Sequence, residues 1–349
     1  MNNKILLLAS KYFPGSMSVL ENLKGVLKGV IDCEIKPIEL FLHRPLFSNI
    51  RVINKIETRM LRSLPPIRIK ELLIYGNNII FAGWDYRYDI ILSALNKKGI
   101  TPLLVLCSTL GQSELLSNEL KDFIKIYDHM KNGRLKYILL NKRLYNSFGK
   151  IFPNAIYFPH TIDLHKYENI IPKQLDNINI DLFCALRPGK NVLNQILAYK
   201  MSNVNGFLHI NFNNPVIDQI ISLINLKVIK HKWLPAKEYY SLIAGMTASL
   251  QVTFTESFSY AICERMCLSV PCLTSYDIDL ISEDKFLSQC LCVNSLDTPL
   301  VIARMLKRII DDNELRSDLA KHSRQRIEEI ANSENKYAVD YIKDIFKIN

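Results

Sequence analysis

The sequence predicts an α/β protein of two similar halves, each built on a parallel sheet, and three observations lead there. Short apolar runs alternate with longer amphipathic stretches, the pattern of strand-helix-strand crossover units. A polar, turn-rich stretch at 169–180 interrupts the alternation, which then restarts. The length of 349 residues suits two domains, at about 150 residues each.

In chain order, Lys4–Ser10 reads as the first strand, followed by a turn at Pro14 and Gly15 and a helix carrying Leu20, Leu23, Val26 and Leu27. A second strand near Glu34–Leu40 precedes a basic helix around residues 49–64. Then come a strand at Ile79–Gly83, a helix from Asp89 to Lys97 and a strand at Pro102–Cys107. Asn169–Ile180, with Pro172, Lys173, Gln174 and Asp176, is the linker candidate. Beyond it the expected strands are Asp181–Leu186, Gly206–Asn211, Lys227–Lys230, Ala248–Val252 and Pro271–Thr274. The helices between them are Val192–Lys200, Val216–Leu223, Lys237–Met246 and Ala261–Cys267. Two such halves on one linker imply a bilobed protein with a cleft.

Composition narrows the class. Hydrophobic residues at 48% and charged residues at 22% are ordinary for a globular chain and exclude a dominant disordered or fibrous segment. No apolar run approaches the roughly 20 residues of a membrane span, and Ile5–Ala9 is too short for a secretory signal, so the expected location is cytoplasmic. The eight cysteines lie mostly in apolar segments, as at Cys107, Cys184 and Cys263, and read as buried free thiols. Their spacing suits no zinc site. The net charge of +10 favours anionic partners. Nucleic acid is not expected among them, because there is no zinc finger, RNP-like aromatic motif or concentrated basic arm.

The segment from Thr255 to Pro271 carries the most chemistry. Glu256 precedes a helix and Glu264 follows eight positions later, so at about 100° per residue the two carboxylates lie within roughly a quadrant and can face one ligand. The backbone N–H groups around Ser257–Tyr260, at the helix start, favour an anion. A phosphate flanked by two hydroxyl-binding carboxylates suits a nucleotide sugar, whereas an ordinary amphipathic helix would carry the same acids incidentally. Arg187 and Lys190 form a second cluster, after the first strand of the second half and before a helix. They offer a bidentate fork and a point charge suited to a pyrophosphate; the plain alternative is a solvated basic loop.

The 255–271 segment resembles the signature of retaining GT-B glycosyltransferases of the family-four (glycosyl transferases group 1) type. There a Glu, seven residues and a second Glu precede a Met and a Val-Pro strand, and Phe258, Met266 and Pro271 match as well. The resemblance implies the GT-B fold, two Rossmann-like lobes with parallel sheets facing a central cleft. It implies domains at 1–170 on the acceptor side and 171–330 on the nucleotide-sugar donor side. A terminal helix at 331–349, with Tyr337, Tyr341 and Ile345, would cross back to the first lobe. It places Glu256 on the donor sugar, Glu264 on the ribose, Ser257, Phe258 and Ser259 around the donor, and Arg187 and Lys190 on the diphosphate. Three glycines of the family pattern are Ser257, Ser259 and Ser269 here, and a positive φ at any of them would strain the serine.

Further positions follow from the same resemblance. His231 to Pro235, with Glu238 and Tyr239 after it, looks like the loop on which the nucleobase rests, with Trp233 and Leu234 as donor contacts; Trp233 filling the core is the other reading. Gly15, between Pro14 and Ser16, would bring backbone amides to the donor, although a plain turn explains Pro-Gly equally well. The segment 155–163 resembles the end of the first lobe, where His160 stands in place of an Asn as either a site residue or a structural histidine. Asp85 and Gln112 are candidates for holding an acceptor hydroxyl. Asp277 and Asp279 have the form of a metal-binding pair but follow the wrong strand and read as a loop; no metal and no cofactor are expected. Arg51, Lys55, Arg59 and Arg62 recur at helical spacing beside Val52, Ile56 and Met60, either a solvated face or a docking surface at an anionic inner membrane face.

The function expected is therefore metal-independent transfer, with retention, from a nucleotide-diphosphate sugar to a glycan or lipid-linked acceptor in cell-surface polysaccharide or glycoconjugate synthesis. The alternative is a catalytically silent sugar-nucleotide-binding or scaffold subunit of the same fold.

Overall fold

The computed structural model describes residues 4–12, 14–41, 69–108 and 116–348. The basic stripe Arg51, Lys55, Arg59 and Arg62 and the candidate Gln112 lie outside the described residues. The chain divides into two compact units. Among the described residues the first holds those up to Ser108, Ser117–Asp163 and Glu334 onward, and the second holds Leu116 and Leu164–Ser333.

In the first unit the elements run β1 (Ile5–Ala9), α1 (Pro14–Leu27), β2 (Cys33–Pro37), α2 (Ile69–Leu73), β3 (Ile79–Ala82), α3 (Tyr88–Asn96) and β4 (Leu103–Leu106). There follow α4 (Leu116–Lys131), β5 (Ile138–Leu140), α5 (Lys142–Phe148) and β6 (Ala155–Tyr157). The strands form a parallel sheet of order β2-β1-β3-β4-β5-β6, in which Leu7 lies opposite Ile35 on one side and Ile80 on the other. β1, β3, β4 and β5 are buried at every position, as befits parallel strands covered on both faces. Leu6, Leu8, Phe81 and Leu104 of the sheet share one core with Tyr88, Ile91, Leu92 and Leu95 of α3.

The second unit runs β7 (Ile178–Leu182), α6 (Val192–Met201), β8 (Gly206–Ile210), α7 (Pro215–Leu223), β9 (Val228–Lys230), α8 (Ala236–Ala244) and β10 (Ala248–Gln251). It continues through α9 (Tyr260–Cys267), β11 (Cys272–Ser275), α10 (Asp279–Ser282), α11 (Lys285–Leu291), β12 (Cys292–Val293) and α12 (Pro299–Asp311) to α13 (Asn313–Phe346), whose residues from Glu334 onward belong to the first unit. Its parallel sheet has the order β12-β11-β10-β7-β8-β9, the doubly wound Rossmann arrangement. α13 is a single 34-residue helix.

Three sequence expectations change. Pro14 and Gly15 open α1 instead of forming a separate turn; a proline fits there because the first helical N–H groups have no intrahelical partner. β7 begins at Ile178, inside the stretch read as linker, and ends at Leu182, before the expected Leu186. Its polar residues are buried yet bonded: Asn179 Nδ2 donates to the carbonyls of Asp176 (2.8 Å) and Asn177 (3.0 Å). Finally, α4, β5 and α5 fill a stretch to which the apolar pattern assigned nothing. Asparagine takes many of the left-handed positions that glycine would otherwise fill: Asn154, Asn169, Asn177, Asn191, Asn203 and Asn225 all have positive φ, a conformation their short polar side chains tolerate.

Candidate functional site

In an open parallel sheet, ligands bind beyond the carboxyl ends of the strands where the strand order reverses. In the second sheet that point lies between β7 and β10, which pair Ala248 with Ile180 and Ser249 with Asp181. The segment after β7 carries Arg187 and Lys190, and the segment after β10 carries Glu256. The structure brings these three together: Lys190 Nζ lies 2.8 Å from Glu256 Oε1 and an Arg187 terminal nitrogen 3.8 Å from Oε2. Lys190 and Glu256 are buried, so their mutual attraction is little screened.

Residues not anticipated from sequence hold the two segments in register. Gln195 Nε2 donates to the Lys190 carbonyl (2.8 Å) while its Oε1 accepts from Val252 N–H (2.8 Å). Phe254 N–H donates to the Gly189 carbonyl (2.9 Å). Asn191, with φ 53°, makes the left-handed turn that lets α6 start directly after Lys190, and its Nδ2 donates to the Leu296 carbonyl.

The three serines at 257, 259 and 269 differ in backbone conformation. Ser259 (φ 73°) and Ser269 (φ 59°) occupy the positive-φ region at the two ends of α9, whereas Ser257 does not. A left-handed conformation costs an L-residue roughly 1–2 kcal/mol, so glycine would relieve strain at two of the three positions. Ser259 caps α9 without a side-chain hydrogen bond.

Glu256 and Glu264 do not share a helix face, because α9 begins only at Tyr260 and Glu256 lies in the preceding loop, where a 100° step has no meaning. Glu264 instead accepts from the Tyr239 hydroxyl (2.9 Å) and Arg265 Nη1 (3.2 Å). Burial pushes its carboxyl above the usual range, against the pull of Arg265 and Tyr239. Arg265 is wholly buried. It donates to Asp181 Oδ1 (2.5 Å), Ser249 Oγ (3.2 Å), the Tyr239 hydroxyl (2.8 Å) and the Ala261 carbonyl (2.9 Å). Burial opposes its charge, but Asp181, Tyr239 and Glu264 hold the guanidinium pKa well above its usual value. A polar residue within an apolar strand, Asp181, was the one sequence sign of this network.

The 231–235 loop follows β9. Trp233 is 91% exposed, which overturns the core-filling reading. Leu234 packs instead, against the cluster of Phe183, Leu242, Ile243, Met246 and Val270. Behind the loop, His209 Nε2 meets Asn179 Oδ1 (2.8 Å), and His209 Nδ1 meets His231 Nε2 (2.9 Å). Because Asn179 Oδ1 can only accept, His209 carries its proton on Nε2, and His231 donates from Nε2 to His209 Nδ1. Burial pushes His209 down to about 4.

In the first unit, Gly15 is exposed and a Cβ there would meet nothing within 4 Å, so local space does not demand glycine. Gly83 is different: its φ is +67° and a Cβ would lie 2.2 Å from Ser16 Oγ. Asp85 is buried and its carboxylate is taken up by Arg87. His160 is buried and pushed down to about 4 by burial, so it is neutral at pH 7. Asp277 lies in a turn and Asp279 opens α10. None of the eight cysteines is in a disulfide; Cys107, Cys184 and Cys290 are only partly buried. Among the described residues no three His, Cys, Asp or Glu side chains converge as metal ligands, and no helix is long and apolar enough to cross a membrane.

No protein-family model matches the chain, and no curated protein matches it in sequence. Solved structures do match in shape. HepE (Alr3699) of Anabaena in complex with UDP-glucose aligns over 99% of both chains, with a TM-score of 0.73 and 11% identity. Sucrose-phosphate synthase (tll1590) of Thermosynechococcus elongatus aligns over 99% of this chain and 100% of that one, with a TM-score of 0.69 and 12% identity. A point mutant of S. aureus TarM, in complex with Fondaparinux, alpha-GlcNAc-glycerol and UDP, gives a TM-score of 0.61 at 13% identity over 78% of this chain. The match spans 56% of that TarM chain, little more than half its length. With two Rossmann-like units, each carrying a six-stranded parallel sheet, the chain has the GT-B fold.

Proposed function

We propose that this chain is a glycosyltransferase that moves a sugar, with retention, from a nucleotide-diphosphate sugar to a glycan or lipid-linked acceptor. The observation that carries the reading is the buried Lys190–Glu256 pair with Arg187 beside it, at the switch point of the second sheet. HepE was solved with UDP-glucose and the TarM mutant with UDP, which supports a nucleotide sugar as the ligand of this fold. In the proposed reaction Lys190 and Arg187 meet the departing diphosphate and stabilise the charge that develops on it. Glu256, released from Lys190 as the diphosphate arrives, orients the transferred sugar, and Glu264 holds the ribose. Ser257, Phe258 and Ser259 line the donor, and the 231–235 loop carries the base. Fixed cations supply the charge neutralisation, so donor binding is metal-independent in this proposal. Its setting would be cell-surface polysaccharide or glycoconjugate synthesis, at the inner membrane face, to which the stripe Arg51, Lys55, Arg59 and Arg62 would bind the enzyme weakly.

The test is UDP affinity by calorimetry in the presence of chelator. Binding that persists with chelator and falls in Arg187→Ala and Lys190→Ala supports the assignment; binding abolished by chelator and untouched by both variants sinks it. A second reading, a silent nucleotide-sugar-binding subunit, draws on the strain at Ser259 and Ser269. Donor turnover in the presence of an acceptor extract excludes it.

A further inference from the structure

The helix α7 is held by its start and not by a core. Asn214 caps it, its Oδ1 accepting from the N–H groups of Val216 (3.0 Å) and Ile217 (3.2 Å), and Pro215 takes the first position, where no N–H is needed. Five of its nine residues are Val, Ile or Leu, yet none is buried, whereas α12 buries Ile302, Leu306 and Ile309. Val216 and Leu223, about two turns apart, share one side of the helix and are 61% and 83% exposed.

β7, β8 and β9 are parallel neighbours, so right-handed crossovers set α6 and α7 side by side on one face of the second sheet. Lys200 Nζ at the end of α6 donates to the Asn225 carbonyl just past α7 (3.4 Å). Beside it Met201 is 55% exposed, and Leu193 is exposed nearer the start of α6. The two helices thus project four apolar side chains where a surface helix ordinarily carries polar ones. Exposed apolar surface rimmed by polar groups marks interaction sites.

Charge selects the occupant. From Val192 to Lys232 the only carboxylate is Asp218, against Lys200, Lys227, Lys230 and Lys232, and Asp218 is taken up by Lys230 at 2.5 Å. Lys200 and Lys227 bond neutral oxygens, the Asn225 carbonyl and Asn205 Oδ1, and those bonds leave their charges uncompensated. A second copy of this chain would set lysine against lysine across the face, and like charges so placed are costly. An anionic bilayer answers both features: its headgroups meet the lysines, and its fluid acyl layer closes around side chains that project from two helix ridges.

We propose that the α6–α7 face of the second unit docks on an anionic lipid bilayer, with Leu193, Met201, Val216 and Leu223 entering the headgroup–acyl boundary and Lys200 and Lys227 pairing with lipid phosphates. This surface rests neither on the transferase reading nor on the stripe Arg51, Lys55, Arg59 and Arg62. The experiment places a reporter on the face: Leu223→Trp in the full chain, with its two tryptophans, Trp84 and Trp233, changed to phenylalanine. The probes are vesicles of brominated phosphatidylcholine, alone and mixed equally with brominated phosphatidylglycerol. The expected result is a blue-shifted emission quenched by the mixed vesicles and not by phosphatidylcholine alone. Lys200→Glu with Lys227→Glu in the reporter chain should weaken vesicle binding by about tenfold, and the same pair in the wild-type chain should leave UDP affinity unchanged. Absence of quenching overturns the proposal even where the chain sediments with vesicles, because another surface then carries the binding. Equal quenching by both vesicles, or lysine variants that bind as the reporter chain does, overturns it too. Self-association abolished by Leu223→Asp, without quenching, gives the face to a second copy instead. Quenching in a chain that binds no UDP removes the transferase reading and leaves the docking face standing.

Discussion

Replacing Glu256 with glutamine separates the two parts this residue plays, as the partner of Lys190 in the free protein and as a contact to the donor in the complex. In the free protein, deleting one charge of a buried pair costs about 3–5 kcal/mol. Glutamine still accepts a hydrogen bond from Lys190, so the lower end, about 3 kcal/mol, applies. For a unit of this size that lowers the melting temperature by roughly 6–12 °C. In the complex the sign reverses, because the diphosphate no longer competes with a carboxylate for Lys190. Like charges about 4 Å apart repel by about 4 kcal/mol at an effective dielectric of 20. Rotation of the carboxylate away from Lys190 relieves most of this, and a gain of about tenfold in UDP affinity, about 1.4 kcal/mol, is expected. Transfer should nonetheless fall by roughly tenfold to a hundredfold, the worth of a hydrogen bond to a charged group. Scanning calorimetry of the free protein and titration with UDP measure both quantities on one preparation. An unchanged melting temperature, or UDP binding weaker than in the wild type, refutes the reasoning.

Two further predictions use backbone strain and proton uptake. Ser269→Gly should raise stability by about 1 kcal/mol, because it removes a left-handed serine at the end of α9, with part of the gain offset by the greater freedom of glycine in the unfolded chain; an unchanged or lower urea midpoint counts against it. His209 and His160 are pushed by burial from the usual 6.5 to about 4, so the unfolded chain takes up protons on them before the folded chain does. Their contribution is full above pH 6.5 and is lost as pH falls toward 4, at up to about 1.4 kcal/mol per pH unit for each. His209→Gln should flatten this dependence in the second unit, and calorimetry at pH 7 and pH 5 showing the same drop as in the wild type would contradict it.

The fold was legible because parallel strands buried on both faces leave runs such as Ile5–Ala9 and Leu103–Leu106 that no exposed element would carry. β5 escaped because three residues show no period, and α4 because its apolar stripe is narrow among Lys, Asp and Glu, whereas the strand at β6 was anticipated through the resemblance of the 155–163 segment. Of the candidate site, Arg187, Lys190 and Glu256 were legible from residue type and position relative to the strands. Arg265 was not: a guanidinium in sequence reads as a solvated residue, and only the packing of β7, β10, α8 and α9 around it shows that it is enclosed. Trp233 stayed open between a donor contact and a core plug, since residue type does not tell a buried aromatic from one on an exposed loop, and its exposure removes only the second.

The enclosure of Arg265 also bears on how the second unit comes apart. Its partners are contributed by Asp181 on β7, Ser249 on β10, Tyr239 on α8 and Ala261 within its own helix. Peeling away any one of these elements alone would expose an unpaired charge to apolar surroundings, so partial opening is penalised more than complete opening. Amide hydrogens of β7, β10 and α9 should therefore exchange together, at the free energy of the whole unit, as a single cooperative block.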